Sequence, residues 1–378
     1  MSIRKKIGFA WGYSFIALFL LGYYYISPNW TFFVFIYAYG LIPMLDELVS
    51  RDSQNASTEE YEKLLNDRYF DFLVYSHVYI QYFMLLWGCY ALTHDNLTWY
   101  QIFGLMLSQG VYASTIINVA HELGHRKSLI AQFHARAALI SVCYMHFFVE
   151  HNRGHHTHVA TPLDPATARK NQTVFQFWKQ SLLGGFRSAW NIEKKLLQKE
   201  NKKTWSVNNE MIWAVILPIL LCFVLTVSFS TSTQEILWIV PAFFAVQSLI
   251  AILSLECVNY IEHYGILRKQ LENGRYEKVN PLHSWNANHF YSNLLLFHLQ
   301  RHSDHHAYAA RPYQVLRHFD ESPQLPYGYT MMILMSLVPP IWFRVMNKRL
   351  EEWQKNSVDS EHIMKVVKAV CVKLKYEI

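Results

Sequence analysis

The chain contains no Cys-x-x-Cys pair anywhere in its 378 residues. Its five cysteines, Cys89, Cys143, Cys222, Cys257 and Cys371, are odd in number and scattered. That pattern excludes a disulfide framework and any iron–sulfur or rubredoxin-type site carried by the chain itself. The cysteines are expected to be small core residues. Charge is scarce too: Asp, Glu, Lys and Arg make up 16% of the residues, against 52% hydrophobic and 16% aromatic. Repeats, low-complexity tracts and linkers are missing, so a single unit covering 1–378 is expected. A cleavable signal peptide is not expected. Arg4, Lys5 and Lys6 lead into an apolar run without a small-residue cleavage site, and a second apolar run follows at once.

What the chain does have is long stretches free of charge. They give six transmembrane helices near 7–26, 29–46, 72–94, 97–120, 211–231 and 235–256, each close to the length of about 20 residues that crosses the hydrocarbon. Trp30, Trp99, Tyr100 and Trp238 stand at their ends, as aromatic residues do at lipid–water interfaces. Two further apolar stretches fail the length test. Residues 137–149 are too few, and 331–343 contain Pro339-Pro340, which disrupts a helix. Both are expected to be re-entrant or to lie on the membrane surface. Phe175, Phe177, Trp178, Leu182, Leu183 and Phe186, set among basic residues, predict an amphipathic helix within 171–200 lying along the interface.

The loops around 27–30, 95–97 and 231–235 carry no Lys or Arg. The opposite ends carry Arg4-Lys5-Lys6, Arg51, Arg126-Lys127, the basic stretch 187–203 and a Lys-rich tail. The positive-inside rule therefore puts both termini and the segments 121–210 and 257–378 in the cytosol. The formal charge of +6 is accounted for by these flanks and by membrane lipid, and no nucleic-acid partner is expected.

Four histidine motifs lie beyond the ends of apolar runs: His121-Glu-Leu-Gly-His125, His151-Asn-Arg-Gly-His155-His156, Asn259-Tyr-Ile-Glu-His263-Tyr-Gly265 and His302-Ser-Asp-His305-His306. With six spans, all four share one face. A seventh span at 128–149 would strand the second motif across the membrane from the first. Histidines four apart on a helix, such as His121 and His125 or His151 and His155, lie on one face and form a clamp. Adjacent ones such as His155 and His156 point about 100° apart and suit two metals. Glu122, Glu262 and Asp304 flank these histidines and are candidates to accept a second ring N–H. His283 is a further candidate, and His77, inside the third span, is expected to be a hydrogen-bonded core histidine.

Three rival readings compete. His-Glu-x-x-His alone matches a zinc protease, but a catalytic zinc takes three protein ligands and water, and nine histidines oversupply it. A metal transporter would place its ligands near the bilayer midplane, not at helix ends on one side. Ordinary helix-end histidines do not account for four patterned motifs. Two histidine-bound metals beside an apolar helix bundle suit oxygen activation on a water-insoluble substrate. Imidazole alone does not choose among iron, zinc, copper and nickel.

At these motifs the chain resembles the integral-membrane alkane monooxygenases, within the fatty acid desaturase and hydroxylase superfamily. The resemblance runs from about 40 to 345. It also takes in Glu150-His-Asn-Arg-Gly-His-His156, Ala160-Thr-Pro-Leu-Asp-Pro165, His283-Ser-Trp285 and Leu299-Gln-Arg-His-Ser-Asp-His-His-Ala307. The Asn-Tyr-x-Glu-His-Tyr-Gly element sets alkane and xylene monooxygenases apart from desaturases. Arg126 stands where Lys is usual, a mild departure. The resemblance implies an all-α membrane protein, six helices under a cytosolic histidine-rich di-metal cap. It implies two non-haem irons on His121, His125, His151, His155, His156, His263, His302, His305 and His306. It further implies hydroxylation of the terminal methyl of medium- or long-chain n-alkanes with O2, in a bacterial inner membrane. Electrons would come from rubredoxin and its NAD(P)H-dependent reductase. A xylene-type methyl monooxygenase is the nearest alternative, and a fatty acyl desaturase a more distant one.

Overall fold

The computed structural model describes residues 1–231 and 235–371, with side chains described as far as Lys368. The expectations for the loop at 232–234, for the Cys371 side chain and for the end of the basic tail lie outside what is described. The described chain is helical apart from turns, irregular segments and two isolated β-bridges.

Six helical stretches are long and apolar enough to cross a membrane: Ile3–Tyr25, Pro28–Leu48, Arg68–His94, Trp99–Gly124, Glu210–Ser230 and Ile239–Glu262. This is an integral membrane protein. Their starts follow local chemistry. Asp67 and Asn209 accept the N–H groups of Tyr69 and Met211 at 3.1 and 2.9 Å. Thr98 and Gln101 form a reciprocal capping box at the start of the fourth span. That span has 26 residues, about 39 Å at the helical rise, which exceeds the roughly 30 Å of hydrocarbon. The span is therefore long enough for one end to extend past the hydrocarbon.

The fourth and sixth spans form the centre of the bundle. They approach closely at Gly110, where a Cβ would meet the Ile250 Cβ at 2.5 Å. Leu105, Val111, Ile116, Ile117, Phe243 and Ala251 are buried between the spans. The fifth span is the outermost, with Ile219 and Phe223 exposed, as a lipid-facing helix requires.

Neither additional apolar stretch forms a span. Leu129–Ile140 is a helix of 12 residues, and the chain then turns at Cys143, whose φ is 55°. Residues 331–343 are divided between the helices Tyr329–Ser336 and Pro339–Asn356. The prolines begin the second helix rather than break one, because the first helical position needs no N–H. The amphipathic segment is the helix Val174–Lys199, capped by Thr173 and Gln176. Cys89 and Cys257 are core residues as expected, but Cys222 is half-buried and Cys143 is exposed. His77 is a core histidine, 3.2 Å from the Tyr112 hydroxyl and stacked on Tyr13.

Beyond the sixth span, residues 263–328 are mostly irregular yet largely buried. Specific side chains pair with much of the buried backbone there. Asp46, at the end of the second span, accepts the N–H groups of Tyr291 and Ser292 at 3.0 Å. Asn118 on the fourth span donates to the Leu296 carbonyl at 2.7 Å. Phe297 and His298 are both left-handed, with φ of 52° and 56°. Their turn delivers Leu299 and the third histidine-rich helix, His302–Ala307, to the bundle.

Candidate metal centre

All nine motif histidines converge in two groups. His121, His125, His151, His156 and His305 form one, and His155, His263, His302 and His306 the other. In each group the ring nitrogens lie within 4.8 Å of one another.

The grouping follows from the backbone. His302 and His306, four apart on an α-helix, share a face and one group, while His305 between them turns to the other. The segment Glu150–His155 is π-helical, and its wider turn stacks residues five apart. His151 therefore meets His156, with Nε2 atoms 3.0 Å apart, and His155 is turned to the second group, 3.2 Å from His306. The α-helical spacing predicted His151 with His155 instead. A π-turn leaves no mark in the spacing of residues.

The Nε2 atoms run in two chains. The first goes from His121 to His305 at 2.8 Å, His156 at 3.1 Å, His151 at 3.0 Å and His125 at 3.1 Å. The second goes from His155 to His306 at 3.2 Å, His302 at 2.9 Å and His263 at 3.2 Å. An imidazole nitrogen has either one hydrogen or one lone pair in the ring plane, so no inner member of these chains can hydrogen-bond both neighbours. A shared cation satisfies them all. Nitrogens held about 2.1 Å from one metal lie about 3.0 Å apart at a right angle and about 3.4 Å apart at the tetrahedral angle. The separations match that geometry.

The ligating form of histidine is neutral, and the surroundings favour it. Burial pushes His125 down to about 3, with His155 adding to the effect. Burial and neighbouring imidazoles hold His151, His156, His302, His305 and His306 well below the usual range. His155 is the exception. Burial is the largest single influence and opposes its charge, but the Asp164, Glu150 and Glu256 carboxylates together raise it. His155 Nδ1 donates to Asp164 at 2.9 Å, and Asp164 is held by the Thr167 hydroxyl at 2.6 Å and the Ala166 N–H at 3.0 Å. This fixes the tautomer that leaves Nε2 facing the second group. Asp164 belongs to the Ala160–Pro165 motif, and nothing in its spacing marks it as the partner of His155.

The four flanking candidates make other contacts. Glu122 accepts from Arg126 at 3.1 Å, and Arg126 also reaches Asp71 at 2.6 Å. Asp304 binds Arg311 at 2.6 Å and Arg317 at 2.8 Å. Glu262 has an oxygen 3.2 Å from His302 Nε2, on the side where the nitrogens converge rather than behind the ring. The His283 ring accepts from the Asn280 N–H at 3.1 Å and faces Glu277 at 3.2 Å, and burial pushes its pKa down to about 4. None of these pairings is the second-ring N–H contact expected for them. Glu150 also adjoins the site. It lines a small polar pocket with Tyr144, His151, His155 and Glu256, and burial raises its carboxyl to about 7.

Residues 97–335 match the model of the fatty acid desaturase family, which defines the class of this fold and its histidine groups. An alkane 1-monooxygenase of Pseudomonas putida is 39% identical over 89% of this chain and 82% of its own length. Alkane 1-monooxygenase 2 of Pseudomonas aeruginosa is 41% identical over 86% of each. The hydroxylase component of a Pseudomonas putida xylene/toluene monooxygenase is 26% identical over 68% of this chain. Within the fatty acid desaturase family, the chain belongs to the alkane 1-monooxygenases.

Proposed function

We propose that the protein hydroxylates the terminal methyl of medium- or long-chain n-alkanes, using two irons held by the nine histidines. The carrying observation is the pair of Nε2 chains, whose inner members are satisfied only by a shared cation. Bound there, two redox-active irons supply the activation of O2, which zinc does not. The chain's own residues do the rest. Asp164 keeps the proton on His155 Nδ1, and the packed cap shields the histidines from water.

Substrate is held in an apolar cavity under the histidines, lined by Val34, Ala38, Val111, Leu255, Leu296 and Leu299 among others. Asn118 and Leu299 also line it, each three residues before a ligand-set histidine. The cavity therefore reaches within one helical turn of the metal groups. Its walls carry no charged residue, which favours an alkane over an acyl chain on a polar carrier. Higher identity to the alkane enzymes than to the xylene enzyme supports alkane over alkylaromatic. Cells expressing the protein with a rubredoxin system should convert octane or hexadecane to 1-alkanols faster than xylene to its benzylic alcohol. Identifying products by mass spectrometry tests this, and exclusive xylene turnover would sink the reading.

The protein is read as one membrane-embedded unit in a bacterial inner membrane, with both termini and the histidines in the cytosol. A cysteine placed at Asn96 should react with an impermeant reagent from the periplasm, and one at Lys195 only after permeabilisation. Periplasmic labelling at 195 would refute this topology.

With no cysteine cluster in the chain, electrons arrive from a partner, read as rubredoxin reduced by its NAD(P)H-dependent reductase. A small acidic donor needs exposed cations. Arg187, Lys194 and Lys195 on the interfacial helix are exposed. Arg301 and Arg311 are not available, since both are buried, on Asp52 and Asp304 respectively. Charge reversal at Lys194 and Lys195 should raise the rubredoxin concentration for half-maximal rate several-fold, about as strongly as added salt does. Metal content should not change. An unchanged donor dependence would move docking elsewhere.

A further inference from the structure

A second apolar cavity lies against the first on its outer side. It is lined by Phe35, Leu107, Ile250, Leu253, Leu334 and Leu337 among others. These belong to the second, fourth and sixth spans and the helix Tyr329–Ser336 with the turn after it. Leu107 is eight residues inside the start of its span, about 12 Å at the helical rise, so the groove reaches the depth of lipid chains. Leu337 at its rim is exposed.

Four residues line both cavities: Tyr39, Val111, Ser254 and Ile333. They form the partition. Tyr39 stands on a π-helical turn, Tyr37–Leu41, within the second span. Such turns interrupt the regular hydrogen-bond ladder and let a segment shift at modest cost. Tyr39 and Ser254, from the second and sixth spans, are the polar pair in an otherwise apolar partition.

We propose that the outer groove is a lateral entry site for one unbranched apolar chain, and that Tyr39, on its π-helical turn in the partition, gates passage to the inner cavity. The proposal rests on the alkane reading above. An alkane dissolves in the bilayer and not in water, so a route opening at hydrocarbon depth spares it the cost of crossing the polar cap. Because the four shared residues separate the groove from the inner cavity, its occupant is read as substrate in transit rather than a structural lipid.

Leu107→Trp and Leu253→Trp fill the groove without altering a residue of the inner cavity. In proteoliposomes containing the full-length protein, each should raise KM for hexadecane about tenfold while kcat falls less and metal content holds. Phe223→Trp, on the outer face of the fifth span, serves as the lipid-facing control and should match wild type. Tyr39→Ala, which shortens the partition, should lower KM for hexadecane, and an unchanged KM overturns its role as the gate. An active wild type whose KM is unmoved by both groove variants overturns the portal alone. A stoichiometric lipid that stays in the wild-type groove through turnover also overturns it. A wild type that oxidises no alkane overturns the parent reading, and the portal with it.

Discussion

Replacing His305 by alanine is expected to empty the five-histidine group and abolish alkane turnover, while the four-histidine group keeps its metal. The His305 Nε2 touches two neighbours in its chain, His121 at 2.8 Å and His156 at 3.1 Å. It alone joins the fourth-span histidines to the His302–Ala307 helix. The same helix supplies His302 and His306 to the other group, so one turn of chain divides its histidines between the two groups. Purified His305→Ala protein should therefore hold about one iron per chain where wild type holds about two, the number suited to nine imidazoles. His306→Ala should produce the complementary loss, because its Nε2 links His155 and His302. His283→Ala, whose ring faces Glu277, should keep both metals. Metal analysis with iron-specific spectroscopy distinguishes the cases. Two irons retained in His305→Ala would sink the assignment, and so would a single bound zinc with proteolysis dependent on Glu122.

The six spans were legible because a span needs only length and freedom from charge, and both can be counted. The nine histidines were legible because their motifs are dense. Their partition was not. It depends on the π-helical turn at Glu150–His155, which moves His155 away from His151 without altering residue spacing. The carboxylates failed for another reason. Glu122, Glu262 and Asp304 were singled out because they adjoin ligands in sequence, but helical neighbours point in different directions. Asp164, nine residues from His155, accepts its Nδ1 proton through a turn that only the folded cap supplies. The same blindness covers Arg301 and Arg311. As sequence they are cytosolic cations, and as structure they are buried countercharges, because the irregular segment 263–328 has no periodicity from which burial can be read.

Asp304 shows what that buried charge does, and its removal should have the second large effect. The carboxylate is fully buried and binds two guanidinium groups, Arg311 and Arg317, and the Arg317 backbone N–H at 2.9 Å. It stands between His302 and His305 on the helix that feeds both metal groups. Asp304→Ala leaves two guanidinium groups without their buried carboxylate. Removing one partner from a buried ionic cluster costs about 3–5 kcal/mol, comparable to the whole stability margin of many domains. Asp304→Asn keeps the shape but not the charge, so it should be nearly as damaging. The expected result is a large fall in the melting temperature of detergent-purified protein, with metal lost from both groups together. That distinguishes Asp304 from a ligand of one metal, whose removal empties one group and leaves the fold intact. Combining Asp304→Ala with Arg311→Leu and Arg317→Leu removes the uncompensated charge and should recover part of the melting temperature. If Asp304→Ala melts like wild type, or loses only one metal, the carboxylate is not the countercharge that holds the cap together.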